Sequence, residues 1–254
     1  MQGRVKERIG SLIHLVRELF FSIKIQITSH MKKMVMIMKT KKLFHLRIAS
    51  LIAIGALALI GFTQMIGKYS ISRLQHEPLS LQVEVIQQSR GTSCGEAVIA
   101  MAYNYVYPQT PITEQEVIEY ATTHGYFTES VSPYTSPANM VKIARNYTEH
   151  VSSGTVTNSS GGLSLLIQRL RRGEPVTIDV LSNFSDPDSE AHFVVVTGIS
   201  VDPQRGNAIV IQYNDPLTGT KESADWSGSA GVWNAWQNNA DPGGPGWWLA
   251  ISPP

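Results

Sequence analysis

Cysteine is almost missing from this chain: Cys94 stands alone among 254 residues. A chain that reads as exported would ordinarily spend its cysteines on disulfides, and a single one cannot form an internal bridge. The thiol is therefore either a packed core residue or a reagent. A Walker-type Gly-rich phosphate loop is also missing, which excludes P-loop nucleotide chemistry. His124, His150 and His192 lie far apart, without the H-x-x-x-H spacing of a metal helix. With one cysteine besides, no metal or cofactor is expected. Internal repeats are missing too, and the only biased tract is 152–162.

Acidic residues are scarce in one half and plentiful in the other. Residues 1–75 hold thirteen Lys/Arg against Glu7 and Glu18. Of 21 basic and 20 acidic residues in all, that leaves 8 and 18 for 76–254, a net charge of −10. Phosphate contacts need clustered Lys/Arg, so this acidic body is not a nucleic-acid binder. Its length suits one domain with a single core.

The basic end has its own logic. Lys39, Lys41, Lys42 and Arg47 precede 48–66, a charge-free run with only Ser50, Thr63 and Gln64 clearly polar. As a helix it spans ~28 Å, enough to cross a bilayer core. Basic flank followed by apolar run predicts a signal peptide or signal anchor over 47–66, with the body secreted or displayed at the cell surface. Ser70-Ile-Ser72 is a weak cleavage site, and no cysteine follows the run to carry a lipid. Crowding of Met31, Met34, Met36 and Met38 points to a translation start within Met31–Met38 rather than at Met1, inside the basic N-terminal region 1–46. Residues 9–27 would otherwise form an amphipathic membrane-surface helix. Residues 67–80 read as linker and 81–254 as the working domain. The cysteine-poor, basic-ended chain reads as bacterial, so the sequons at Asn146, Asn158 and Asn183 matter only in a host that glycosylates its secretory path.

Within the body, 81–86 alternates apolar and polar as a half-exposed strand does. Ala97, Val98, Met101, Ala102 and Tyr105 then repeat at helical spacing, and Ser93 with Glu96 reads as a capping box that sets Cys94 at the first helical position. Thr113 and Glu116 cap a second helix, and Ser136-Pro137 opens a third. A fourth covers 162–172. The period then changes: 175–180, 192–199 and 208–213 are β-rich, with turn material at 202–206. Helices first and strands later, without βαβ alternation, predict an α+β fold.

Centring a hairpin between Pro203 and Gln204 puts His192 opposite Asp215. Cross-strand neighbours have Cβ atoms ~5 Å apart, within reach of a carboxylate–imidazole bond. Cys94 at a helix N-terminus sits where negative charge is favoured. Together these residues predict an acyl-transfer site. Cys94 is the nucleophile, His192 the base and acid, Asp215 the group that orients the imidazole, and Gln88 with the Cys94 N–H the oxyanion donors. Each part alone is more often structural: a packed cysteine, a hydrogen-bonded strand histidine, an Asn214-Asp215-Pro216 turn.

Gln88-x5-Cys94-Gly-Glu-Ala, the Ser-Pro-Ala-Asn helix start, Gly173-Glu-Pro-Val, His192-Phe-Val-Val-Val-Thr-Gly and Asn214-Asp215-Pro216 together resemble the papain-like cysteine peptidases of the double-glycine leader-peptidase type. They resemble most closely the stand-alone exported branch, over residue 81 to the C-terminus. The resemblance implies a nucleophile helix packed on a C-terminal antiparallel sheet and a peptide or protein substrate. It also implies the roles just given to Cys94, His192, Asp215 and Gln88. Transporter and ATPase domains of that type have no counterpart here, so a bacteriocin-leader substrate does not follow. The same site can pass its acyl group to an amine, as a transpeptidase does. A surface peptide-binding module that lost activity is the rival from another class.

Gly91-Thr-Ser93-Cys-Gly95 also matches the G-x-S-x-G elbow of α/β-hydrolases, with Asp179 or Asp186 ahead of His192. One strand before Ser93 is too few for that fold, and Ser93 reads better as the helix cap. All five tryptophans fall late, at Trp226, Trp233, Trp236, Trp247 and Trp248. They read as sheet-covering rings, with a lesser reading that one or two flank a substrate cleft framed by 241–246.

Overall fold

The computed structural model of the chain describes Leu74 and residues 77–254. The basic region, the apolar segment 47–66 and most of the linker lie outside the described residues. Among the described residues no helix is long and apolar enough to cross a membrane.

Among the described residues three helices precede the main body of the sheet. They are α1 (Cys94–Val106), α2 (Glu114–Thr123) and α3 (Pro137–Tyr147). Helix α2 starts at the expected capping box, Glu116 Oε2 accepting the Thr113 N–H at 2.6 Å while Thr113 Oγ1 accepts that of Glu116 at 3.2 Å. Ser136 caps α3, where Pro137 loses nothing by lacking an N–H. Strand β2 (Val151–Thr155) follows, then α4 (Ser159–Arg171). Asn158 rather than a later residue caps α4, because its Oδ1 takes the Gly161 N–H at 2.8 Å.

The rest is mainly sheet: β3 (Val176–Leu181), β4 (Ala191–Asp202), β5 (Ala208–Asp215), β6 (Thr220–Asp225), a short α5 (Val232–Asn238) and β7 (Trp247–Ile251). Strand order is β2-β7-β3-β4-β5-β6, all antiparallel, with β1 (Leu79–Ser80) added to β4. Helices packed on an antiparallel sheet give the α+β, papain-like arrangement that was expected.

Alternation along the strands sorts two cores onto opposite faces. Ile178, Val194, Val196, Trp248 and Ala250 meet α4 and the Trp226/Trp236 cluster. Phe193, Val195, Trp247, Leu249 and Ile251 meet α1, α2 and α3. Helix α1 is buried from Gly95 to Tyr103, being covered by helices on one side and sheet on the other. Gly95 permits that closeness, since a Cβ there would stand 2.8 Å from Met140 Sδ on α3.

Two local expectations change. Residues 81–86 do not join the sheet as a strand. The ladder with β4 is confined to Leu79–Ser80, and the segment then runs extended over α1, burying Val83. Asn214 Nδ2 ties it down by donating to the Val83 carbonyl at 3.1 Å. The β4–β5 hairpin is also longer than expected. Its turn holds a 3-10 turn at Pro203–Arg205 followed by Gly206 and Asn207, both at φ 65. Asp202 therefore pairs with Ala208 and Ile199 with Ile211, and an irregularity between Val196 and Gly198 brings Val195 opposite Asn214.

Candidate active site

Continuing the Val195–Asn214 pairing by one residue sets Asp215 opposite Val194, on the same side of the strand as His192 two residues away. The two are thus diagonal neighbours rather than directly opposed. A diagonal pair is still within reach of long side chains, and His192 Nε2 and Asp215 Oδ1 stand 2.7 Å apart. The same Oδ1 accepts the Leu217 N–H at 2.8 Å, so the turn after β5 fixes the carboxylate. His192 is buried at 6 % exposure, and it lies near enough to the Cys94 thiol for sulfur, together with Asp215, to raise its pKa. With Nε2 turned to Asp215, Nδ1 is the nitrogen left for sulfur.

Electrostatics follow from this sandwich. Burial is the largest influence on His192 and pulls its pKa down. The Asp215 bond and the nearness of Cys94 outweigh it, so the imidazole is pushed up to about 10. Burial works to raise Asp215, but the His192 bond and charge, with the Leu217 and Thr218 amides, hold it below the usual carboxylate value. The arrangement is one that keeps His192 protonated at neutral pH.

Cys94 is a half-buried free thiol at the first position of α1. The cleft beside it is lined by Gly95, Tyr134, Glu190, Phe193 and Asp241 among others, and by no tryptophan. The tryptophans pack elsewhere. Trp226, Trp233 and Trp236 contact one another, and Trp247 sets its edge to Phe193. Their sheet-covering role is the one the packing bears out.

Gln88 lies on the same side of the site by a backbone tie, its N–H donating to the Pro216 carbonyl at 2.9 Å. Its side-chain amide donates to Arg90 O at 2.8 Å, while Oε1 is buried without a partner. Asp215 is thus bonded to His192 and, through the Pro216 turn, tied to the Gln88 segment, while Cys94 lies near enough to His192 to act on its pKa.

The expected Ser93–Glu96 capping box does not form. No side chain caps α1. Ser93 Oγ instead donates to Glu114 Oε1 at 2.6 Å, and Glu96 Oε1 accepts from Thr135 Oγ1 at 2.7 Å. Ser93 has 0 % exposure, which removes the α/β-hydrolase reading, and Asp186 belongs to a polar loop. Glu96 is pushed up to about 7, chiefly by burial. Asp179 is buried in β3 without a hydrogen-bond partner and raised well above the usual carboxylate value by burial, then by Asp241. Their burial left no trace in local spacing, because Thr135, ahead of α3, and Asp241 lie 39 and 62 residues from Glu96 and Asp179. Among the described residues no group of three His, Cys, Asp or Glu side chains gathers as a metal site would.

A family model described as the Peptidase_C39 like family matches residues 80–241. No curated protein matches the chain.

Proposed function

Because the chain belongs to the Peptidase_C39 like family, we propose that it is a cysteine peptidase whose nucleophile is Cys94, acting on a peptide or protein substrate outside the cytoplasm. The observation that carries this reading is the 2.7 Å His192–Asp215 bond, with the Cys94 thiol close enough to His192 to act on its pKa. The thiolate is the nucleophilic form of cysteine, and an imidazole beside it can return a proton to the leaving group.

The thiolate attacks the scissile carbonyl and the carbonyl oxygen takes up negative charge. The Cys94 N–H and the Gln88 amide supply donors to it, once Gln88 Nε2 exchanges its Arg90 O bond for the oxyanion. The tetrahedral adduct collapses as the C–N bond breaks, and His192 gives its proton to the leaving amine. Water, deprotonated by His192, then hydrolyses the thioester and restores Cys94. Asp215 keeps Nε2 engaged throughout, so Nδ1 always faces sulfur. Placement outside the cytoplasm rests on the basic flank and apolar run at 47–66 and on the acidic body.

The test is alkylation of the purified protein by iodoacetamide across pH, followed by intact mass, with Cys94→Ala as the blank. The expected result is rapid alkylation in mildly acid solution, lost in His192→Ala, and hydrolysis of members of a peptide library by wild type alone. Alkylation only in alkaline solution, unchanged in His192→Ala, would make Cys94 a packed core thiol and leave the binding-module reading.

A further inference from the structure

Ser93 is the clue that leads beyond these four residues. It stands directly before the thiol, where a cap is expected, yet its hydroxyl is spent on a carboxylate from another helix. That carboxylate, Glu114, opens α2 and is only 7 % exposed. Its Oε1 accepts from Ser93 Oγ at 2.6 Å, and both oxygens share the Ser89 N–H at 3.0 Å. Each of these donors belongs to the segment that joins Gln88 to Cys94. A buried carboxylate costs free energy unless it is well hydrogen-bonded, and this one is bonded to that segment at both ends.

The segment needs such a holder. Gln88-Ser-Arg-Gly-Thr-Ser93 has no apolar side chain to anchor it, and a Cβ at Gly91 would meet nothing within 4 Å. Its internal ties converge on Arg90: Gln88 Nε2 donates to Arg90 O at 2.8 Å, Ser93 N to Arg90 O at 3.3 Å, and Arg90 N to Ser93 Oγ at 3.2 Å, so none of them fixes the segment to another element. The Arg90–Glu129 ion pair is exposed and adds little. Glu114 by contrast ties the segment to the start of α2 through Ser89 and Ser93.

We propose that Glu114 is a positioning residue of this site, holding the segment between Gln88 and Cys94 so that the Gln88 amide and the Cys94 N–H converge on the oxyanion. The assignment rests on the reading of Cys94 as an acyl-transfer nucleophile. Glu114 touches neither substrate nor sulfur, and acts through Ser89 and Ser93. Gln at 114 keeps the size but offers one acceptor oxygen where the carboxylate offers two, and it presents N–H groups to donors.

Two reactions at Cys94 separate this role from a general one. Alkylation by iodoacetamide passes through no oxyanion, whereas acylation by p-nitrophenyl acetate does. Both second-order rates are measured on the whole protein, with glutathione as a free-thiol reference and Cys94→Ala as blank. In Glu114→Gln, acylation is expected to fall by about 10-fold or more, since losing one oxyanion donor outright costs about 100-fold, while alkylation stays within about twofold. Ser93→Ala, which keeps the Ser89 bonds, should show a smaller drop in the same ratio and serves if Glu114→Gln does not fold. An unchanged ratio of acylation to alkylation in both variants, whether the two rates fall together or stay put, would overturn the proposal. A wild-type thiol no faster than glutathione with either reagent would instead overturn the peptidase reading on which it rests.

Discussion

His192 Nε2 and Asp215 Oδ1 are 2.7 Å apart although their backbones are diagonal, not opposed, in the β4–β5 ladder. Asp215→Asn keeps an acceptor there and removes its charge. The His192 proton should then be lost well below pH 10, as followed by imidazole nitrogen NMR. Acylation of Cys94 by p-nitrophenyl acetate should fall by about 10-fold or more, since the orienting charge also stabilises the imidazolium.

The same pair sets a pH signature in stability. His192 is raised to about 10, so what its protonated form contributes is complete below its ordinary ~6.5 and is lost as pH rises towards 10. Asp215 is lowered, so its contribution is complete above ~3.8 and lost as pH falls below that. Urea titrations of wild type and Asp215→Asn should differ most between these limits. A difference that does not shrink from neutrality to pH 10 would contradict the pairing.

Glu96 acts in the opposite sense to Asp215. Its carboxyl is raised to about 7 by burial. The folded state therefore gains from the protonated form at low pH and loses that gain as pH climbs from its ordinary value through 7. Glu96→Gln, which mimics the protonated group, should be the more stable protein above pH 7, by on the order of 3 kcal/mol. Chemical denaturation at pH 5 and pH 8 measures it, and equal differences at both pH values would refute it.

Gly198 is the point where β1 closes on β4. A Cβ there would lie 2.8 Å from the Leu79 carbonyl oxygen and would also meet Gln212 Oε1. Gln212 can swing aside but the backbone cannot, so Gly198→Ala should cost about 1–3 kcal/mol. Faster hydrogen exchange at the Leu81 amide, which donates to Thr197 O, would show that β1 is what gives way.

Trp236 has 0 % exposure and donates its Nε1–H to Trp247 O at 2.6 Å. Trp236→Ala should cost about 3–5 kcal/mol, read as a shifted denaturation midpoint. Trp236→Phe keeps most of the volume and removes that bond, for about 1 kcal/mol. Neither should alter the Cys94 alkylation rate of the folded protein, because no tryptophan lines the cleft.

Sequence spacing revealed the parts of the site that lie in strongly periodic elements. Cys94 at a helix start and His192 and Asp215 in or at β-rich runs were all placed from pattern alone. The hairpin register was not, because the Gly206–Asn207 pair and the irregularity before Gly198 lengthen the path by amounts that alternation does not encode. The His–Asp contact survived that shift only because both side chains stayed on one face. Strands β2 and β6 went unseen for another reason. Val-Ser-Ser-Gly-Thr and Thr-Lys-Glu-Ser-Ala-Asp are largely polar edge strands, held by their partners β7 and β5 rather than by a buried face of their own. Glu114 escaped notice since its partners lie 21 and 25 residues away, beyond any local pattern.

The Gln88 N–H bond to Pro216 O joins the segment before α1 to the turn that follows the last residue of β5. Nucleophile, base and carboxylate therefore come within bonding range only after most of the domain has been threaded and the β4–β5 hairpin has docked. Loop closure over such separations is a late event in folding. A chain still emerging or still extended thus keeps Cys94 apart from His192 and Asp215, and the proposed chemistry waits on completion of the fold itself.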